Sequence, residues 1–182
     1  MRIIKGKHQR RLIHVPIGLP VRPTTDLAKE SLFNILSNDI DFDGIRSLDL
    51  FAGTGNISYE LISRGCGSVL AVDQHPKCTQ FIGETAKLLS MTNLQIIRAD
   101  AFKFLKMQKL PFDLIFADPP YDMDPAQYQE VVDIIFEKNL LNPEGTLIIE
   151  HSKGVQFLEH PHIFDMRRYG KVHFSFFSPE IS

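Results

Sequence analysis

Residues 47–65, SLDLFAGTGNISYELISRG, decide the fold. The stretch opens as a short apolar strand, SLDLFA (47–52), and turns sharply through Gly53-Thr54-Gly55. It continues as a helix over Ile57–Arg64 that Gly65 closes. An apolar strand that passes through a glycine turn into a helix is the start of a βα unit. The turn departs from the dinucleotide fingerprint, whose third glycine would fall at position 58, where Ser58 stands. It also lacks the longer glycine spacing and the Lys-Ser/Thr ending of a phosphate-binding loop.

Downstream the same rhythm repeats. SVLAVD (68–73) is a second strand, and Pro76 suits the first turn of a helix that runs to about Ser90. LQIIRAD (94–100) is a third strand and Ala101–Gln108 a short helix. FDLIFAD (112–118) is a fourth strand that stops at Pro119-Pro120. Gln127–Lys138 is an amphipathic helix and TLIIE (146–150) a fifth strand. IFDMRRYGKVHFSFF then reads as two strands joined near Tyr169-Gly170-Lys171, with no helix between them, so the last strand is expected to be antiparallel. Phe174, Phe176 and Phe177 fit a strand with one buried face. Upstream, Asp26–Leu36 is a helix with Ala28, Leu32, Ile35 and Leu36 on one face and Thr24, Thr25 and Asp26 as capping residues. Residues 37–44 form a polar join, residues 17–25 a Pro-rich connection, and residues 1–16 an extended hairpin turning near Gly6. The pattern predicts an α/β fold with a mostly parallel sheet, helices on both faces, an antiparallel last strand and a small N-terminal β-hairpin extension. It divides the chain into a basic hairpin with its connection (1–25) and a main domain (26–182).

Composition bounds the class. The 182 residues are 43% hydrophobic and 23% charged, as in an ordinary folded domain. No apolar run approaches the roughly 20 residues of a membrane helix, and the N-terminus has no apolar segment of a secretory signal. Cys66 and Cys78 are too few for a disulfide framework and are not spaced as CxxC. A soluble, cytoplasmic protein is expected. The net charge of −2 hides an asymmetry: residues 1–22 hold six basic side chains and no acid, whereas the other 160 hold 14 basic and 22 acidic ones. Charge alone leaves two readings open for the arm, a polyanion contact or a solvated hairpin.

Two loops carry the chemistry. The first is Asp49-Leu50-Phe51-Ala52-Gly53-Thr54-Gly55. Its glycines let a ligand approach the backbone, with helix N–H groups facing it. Asp49 would repel a pyrophosphate and attract an ammonium. A cofactor that carries an ammonium, a carboxylate and a sulfonium is S-adenosylmethionine. Asp73, ending the second strand, suits the ribose hydroxyls, and Asp100, following the third, suits the adenine amino group. The second loop is Asp118-Pro119-Pro120-Tyr121. Two prolines stiffen the turn and hold a carboxylate, a carbonyl and a ring in one place. Asp118 and the Pro119 carbonyl could accept both N–H bonds of an exocyclic amine, freeing its lone pair, while Tyr121 stacks on the base. His151, His160 and His162 lack zinc-site spacing, and no metal is expected.

DLFAGTG followed by ADPPY resembles the class I methyltransferases that modify exocyclic amines. With MRIIKGKHQRRL, RPTTDLAKESLFNIL and the RRYGK ending, the chain is similar along nearly its whole length to the bacterial 16S rRNA guanine-N2 methyltransferases, the RsmD-like family. The resemblance implies a seven-stranded Rossmann-like sheet after a small hairpin, and methyl transfer from S-adenosylmethionine to guanine N2. It implies a cofactor site of Asp49, Phe51, Gly53, Gly55, Asp73 and Asp100, and a catalytic loop of Asp118, Pro119, Pro120 and Tyr121. Thr54 stands where relatives often carry Ser, and Asp73 where they often carry Glu. The partner implied is 16S rRNA or the small ribosomal subunit, met by a monomer. Lys5, Lys7, Arg10 and Arg11 would grip RNA phosphates, and Arg22 would contact either the target nucleotide or the cofactor carboxylate. Other readings are a DNA adenine-N6 or protein glutamine-N5 methyltransferase, which usually has Asn in place of Asp118, and a non-catalytic RNA-binding assembly factor. DNA enzymes of this type usually also carry a target-recognition domain, and none is visible in these 182 residues.

Overall fold

The opening βα unit forms as expected and sets the frame for the rest. The computed structural model describes residues 1–19, 25–157 and 159–180. Its elements are α1 (Asp26–Asp39), β1 (Arg46–Leu50), α2 (Asn56–Ser63), β2 (Ser68–Asp73), α3 (Pro76–Leu88), β3 (Leu94–Arg98), α4 (Ala101–Met107), β4 (Phe112–Ala117), α5 (Pro125–Glu137), β5 (Leu141–His151), β6 (Ile163–Tyr169) and β7 (Val172–Phe177). They build one seven-stranded sheet in the order β3-β2-β1-β4-β5-β7-β6. β1 to β5 are parallel, and β7 runs antiparallel to both β5 and β6. The winding reverses between β1 and β4. At such a switch point, open α/β sheets bind ligands beyond the carboxyl ends of their strands.

Alternation along the strands divides the core in two. Leu114, Phe116, Ile148, Phe174 and Phe176 pack with residues of α1, α2 and α3. Ile115, Ala117, Leu147, Ile149 and Phe177 pack with residues of α4 and α5. β7 is therefore buried on both faces rather than one, because Phe157 and His160, from the β5–β6 connection, cover Phe177 edge-on. No described helix is long and apolar enough to cross a membrane.

Two element boundaries move by three residues or more from their expected positions. α1 continues through the polar residues to Asp39 because Ser37 Oγ donates to the Phe33 carbonyl (2.7 Å) and accepts from Arg64 Nη1 (3.0 Å). The Arg64 guanidinium lies over the Phe33 ring. β5 begins at Leu141 rather than near Thr146. It pairs Leu141 with Phe112, then bulges before pairing Thr146 with Leu114, and Asn142 Nδ2 donates to Asp113 Oδ1 across the bulge (2.6 Å).

The N-terminal hairpin closes on a single antiparallel bridge, Arg2 with Leu12. Four of its backbone donors turn to α2. Ile4 N and Lys5 N donate to the Glu60 carboxylate (2.8 and 3.1 Å). Lys7 N donates to the Ser63 carbonyl (2.7 Å) and His8 N to Ser63 Oγ (3.0 Å). Gly6 has φ +91°, and a Cβ there would lie 1.7 Å from the Ser63 carbonyl oxygen. Only glycine permits the arm to lie this close to the helix. Ile3 and Ile13 complete the docking by burial in the α1–α3 core.

Candidate active site

Four carboxylates sit at the carboxyl ends of the central strands. Asp49 lies on β1 and Asp73 ends β2. Asp118 directly follows β4, and Glu150 lies near the end of β5. Their strand neighbours two residues back, Ala71, Phe116 and Ile148, belong to the core on the α1–α3 side. Leu48 and Leu50, which flank Asp49, belong to the opposite core. All four acids therefore project to the same face of the sheet, the face that the glycine turn enters.

Asp49 is almost fully buried, 2% exposed. Its Oδ2 accepts from Ser58 N (3.0 Å) and Ser58 Oγ (2.5 Å). Burial outweighs both bonds and pushes its pKa up to about 7, with the Asp73 charge adding to the rise. The sequence shows Ser58 only as a missing glycine. The fold gives it a positive role, since its hydroxyl and its N–H in the first turn of α2 fix the acid. The turn is built from left-handed backbone at Phe51 (φ 62°), Gly53 (φ 55°) and Gly55 (φ 75°). A Cβ on Gly55 would lie 2.8 Å from the Tyr59 ring, so this position needs glycine for both conformation and space. Gly55 itself offers α2 no side-chain cap, and the Asp49 carboxylate takes the Ser58 N–H in the first turn instead.

Asp73 braces the turn from β2. Its Oδ2 accepts from Gly53 N (2.9 Å) and its Oδ1 from His75 N (2.7 Å). Asp100 caps α4, with Oδ1 accepting from Lys103 N (3.0 Å). Each carboxylate retains further lone pairs for a ligand.

The two-proline loop leaves the sheet where Asp118 N donates to the Leu50 carbonyl (3.3 Å). The Pro120 carbonyl accepts from Tyr128 Oη (3.2 Å) and from Met123 N (2.9 Å). Asp124 then forms a capping box at the start of α5. α5 thus holds the outer half of the loop, and among the described residues no donor reaches the Pro119 carbonyl. Burial, then the charges of Glu150 and Asp49, raise the Asp118 pKa well above the usual carboxylate range. Tyr121 is exposed beside it, at 59%. Glu150 itself is 3% exposed. As the last residue of the TLIIE run it gives no sign in the sequence of its relation to Asp118.

A second unforeseen group links the arm to the glycine turn. The Lys29 ammonium, fully buried, donates to the Arg2 carbonyl (2.7 Å) and to Asn56 Oδ1 (2.7 Å). It also pairs with the fully buried Glu60 carboxylate (3.6 Å), which accepts from Arg64 Nε as well (2.8 Å). Asn56 is the first residue after the turn, so arm, α1 and cofactor loop meet at one ammonium. Lys5, Lys7, Arg10 and Arg11 are all exposed. Lys5 and Lys7 lie near Ser63, at the far end of α2. The eight residues of α2 span about 12 Å, so this basic tip stands away from the glycine turn. Arg22 lies outside the described residues. The histidines are occupied in packing and hydrogen bonds: His151 with Ser175 and Ser152, His160 with Asp133, and His162 stacked on Phe136.

Residues 1–178 match the family described as Conserved hypothetical protein 95. YlbH of Bacillus subtilis is 36% identical over 163 residues, covering 87% of this chain and 86% of that protein. The Haemophilus influenzae protein named Ribosomal RNA small subunit methyltransferase D is 31% identical over 157 residues, covering 84% of this chain and 79% of its own length. Among solved structures, Escherichia coli yhhF superposes with a TM-score of 0.84 at 25% identity, covering 100% of this chain and 99% of that one.

Proposed function

The chain belongs to the Conserved hypothetical protein 95 family, the RsmD-like methyltransferases, and from that premise we propose that it methylates the exocyclic N2 of a guanine in small-subunit (16S) rRNA, using S-adenosylmethionine. The observation that carries the reading is the pairing of two features on one sheet face: the buried Asp49 beside a glycine turn of left-handed backbone, and, one strand away, Asp118 next to a Pro119 carbonyl that no donor reaches among the described residues.

The donor set fits the cofactor. Asp49 receives the ammonium, and backbone N–H groups where the glycine turn enters α2 receive the carboxylate. Asp73 receives the ribose hydroxyls through the lone pairs that Gly53 and His75 leave, and Asp100 receives the adenine amine. When bound, the cofactor supplies a methyl group made electrophilic by its sulfonium.

The protein's part is to orient the nucleophile and to hold a proton. Asp118 and the Pro119 carbonyl each accept one N–H of the target amine, which draws its nitrogen out of conjugation with the ring. Asp118 is suited to taking the released proton, because its buried surroundings and acidic neighbours favour the protonated form. Tyr121, exposed at the loop, stacks on a base that has left its helix. Lys5, Lys7, Arg10 and Arg11 hold phosphates at a distance from the reacting atoms, as suits contacts that orient a large RNA without reading its bases.

The test is incubation with labelled S-adenosylmethionine and small-subunit RNA or particles from a strain lacking the protein, followed by nucleoside analysis. N2-methylguanosine is expected. Label in any other nucleoside, or in protein or DNA only, overturns the reading.

A further inference from the structure

The RRYGK stretch, residues 167–171, has no part in the chemistry above, yet the fold gives it a definite place. β6 and β7 pair Tyr169 with Val172, so Gly170 and Lys171 form a two-residue hairpin turn. Gly170 takes the left-handed backbone (φ 63°) that such a turn favours. Tyr169 packs on Phe174, with ring centroids 6.0 Å apart, which anchors the end of the hairpin. A Cβ on Gly170 would meet nothing within 4 Å, so the tip stands clear of the body.

The register carries this tip to the active-site end of the sheet. β7 runs antiparallel to β5 and pairs Phe174 with Glu150 and His173 with His151. Lys171 is therefore level with the residues that follow β5, Lys153 among them. β4 and β5 pair Ala117 with Ile149, which sets Asp118 level with Glu150. Two strand spacings across and three residues along place the backbone of the tip roughly 15 Å from that of Asp118. That is about four phosphate steps along a stacked strand.

Three cations gather there. Lys153, Arg168 and Lys171 are exposed, and none has an ion-pair partner among the described residues. Arg167 is paired with Asp165 (2.7 Å) and is not counted with them. Arg168 lies across the hairpin from the buried His173. Burial, then the charges of Arg168 and Lys153, hold the His173 pKa below its usual value, so both cations lie close to one ring. Unpaired like charges of this kind attract a polyanion. The N-terminal arm stands elsewhere: α2 packs on β1, β2 and β3 and holds Lys5 and Lys7 at its far end. In the strand order, β4 and the catalytic loop that follows it fall between the strands under the arm and the β6–β7 hairpin.

We propose that the β6–β7 tip is a second RNA-backbone contact, in which Lys153, Arg168 and Lys171 grip phosphates of the small-subunit RNA close to the target nucleotide. With the N-terminal arm on the other side, the RNA is held across the catalytic loop. This inference rests on the RNA substrate proposed above. Contacts of this kind fix register without reading bases, and each releases counterions, so each adds to the salt dependence of binding.

The experiment measures binding of protein-free small-subunit RNA, and of small-subunit particles, between about 50 and 200 mM salt. It compares the wild type with a double variant, Arg168→Gln and Lys171→Gln. The control is a second double variant, Lys109→Gln and Lys138→Gln, which loses the same charge at exposed positions ahead of β4 and β5, at the opposite end of the sheet. Loss of two phosphate contacts is expected to weaken RNA binding by about 10- to 30-fold at about 0.15 M salt. The slope of log affinity against log salt should become shallower by about 1.4–1.8. Affinity for S-adenosylhomocysteine, titrated on the same preparation, should be unchanged, and the control should bind RNA within about twofold of the wild type. RNA affinity and salt slope unchanged in the Arg168 and Lys171 variant overturn the proposal. An equal loss in the control overturns it as well, since net charge alone would then explain the effect. A loss seen with particles but not with protein-free RNA overturns it in favour of a protein partner. If the expected loss occurs but the wild type forms no N2-methylguanosine, the tip contact stands and the guanine reading falls.

Discussion

If Asp49 receives the cofactor's ammonium, cofactor affinity must follow the ionisation of Asp49. Its pKa stands at about 7 because burial outweighs the two Ser58 bonds, and only the ionised form attracts a cation. The amino group of the ligand, beside a carboxylate rather than a peptide carbonyl, stays protonated from pH 5 to pH 7.4. The ionised fraction of Asp49 therefore governs the acid side: binding is about eightfold weaker at pH 6 than at pH 7.4 and about seventyfold weaker at pH 5. Calorimetric titration with S-adenosylhomocysteine, which carries the same amino-acid end, measures this without turnover. Repeated in buffers of different ionisation enthalpy at pH 6, it should report release of about 0.9 proton per ligand, the proton that Asp49 gives up. Asp49→Asn keeps an acceptor for Ser58 and removes the charge. It should weaken binding at pH 7.4 by about 10- to 100-fold and abolish the acid limb. A wild-type affinity that stays flat from pH 7.4 to pH 5, or an acid limb that survives in Asp49→Asn, refutes the assignment of Asp49 to the ammonium.

Further outcomes follow from the other groups. Asp118→Ala should abolish methylation while cofactor affinity stays within a few fold, as titration and a methyl-transfer assay on the same preparation would establish; retained turnover defeats the catalytic role. Charge reversal at Lys7 and Arg10 should raise KM for RNA and flatten its salt dependence with little change in cofactor binding, and an unchanged RNA affinity rejects the arm as a phosphate grip. Lys29→Met leaves Glu60 buried with Arg64 and two backbone donors, so the loss should fall near the low end for a broken buried pair, about 3 kcal/mol. That corresponds to a Tm lower by about 6–12 °C, and a shift below about 2 °C would mean that the pair does not secure the arm.

What the sequence made legible follows from the range of its signals. β1, the glycine turn and α2 could be read because apolar runs, glycines and helix periodicity are local. Asp73 and Asp118 stood out because each ends such a run, and Asp49 because it stands four residues before the first glycine. The bulge in β5 was hidden because Asn142 to Gly145 resemble a turn that ends an element, and only pairing with Phe112 shows that the strand has already begun. α1 was expected to stop at Leu36 because the residues after it are polar, yet Arg64, 27 positions away from Ser37, extends it. Lys29 and Glu60 lie 31 positions apart on separate helices, and each alone resembles a solvated charge. Glu150 needed the register of β4 against β5 before it could be related to Asp118.

That last dependence has a physical basis. Charges that stabilise a fold are spaced to attract, and attraction leaves traces such as helix pairs four residues apart. The acids of this site are set together against their own repulsion and in poor solvent, which is why Asp49 and Asp118 both hold their protons more tightly than free carboxylates do. Lys29 would be the natural counter-ion, but it points away, into the arm and Glu60. The fold therefore keeps its buried cation for assembly and leaves the carboxylate face without one from α1. A site arranged in this way gains from a ligand that brings positive charge to it. A sulfonium amino acid does so, whereas a phosphate-rich cofactor would add to the repulsion.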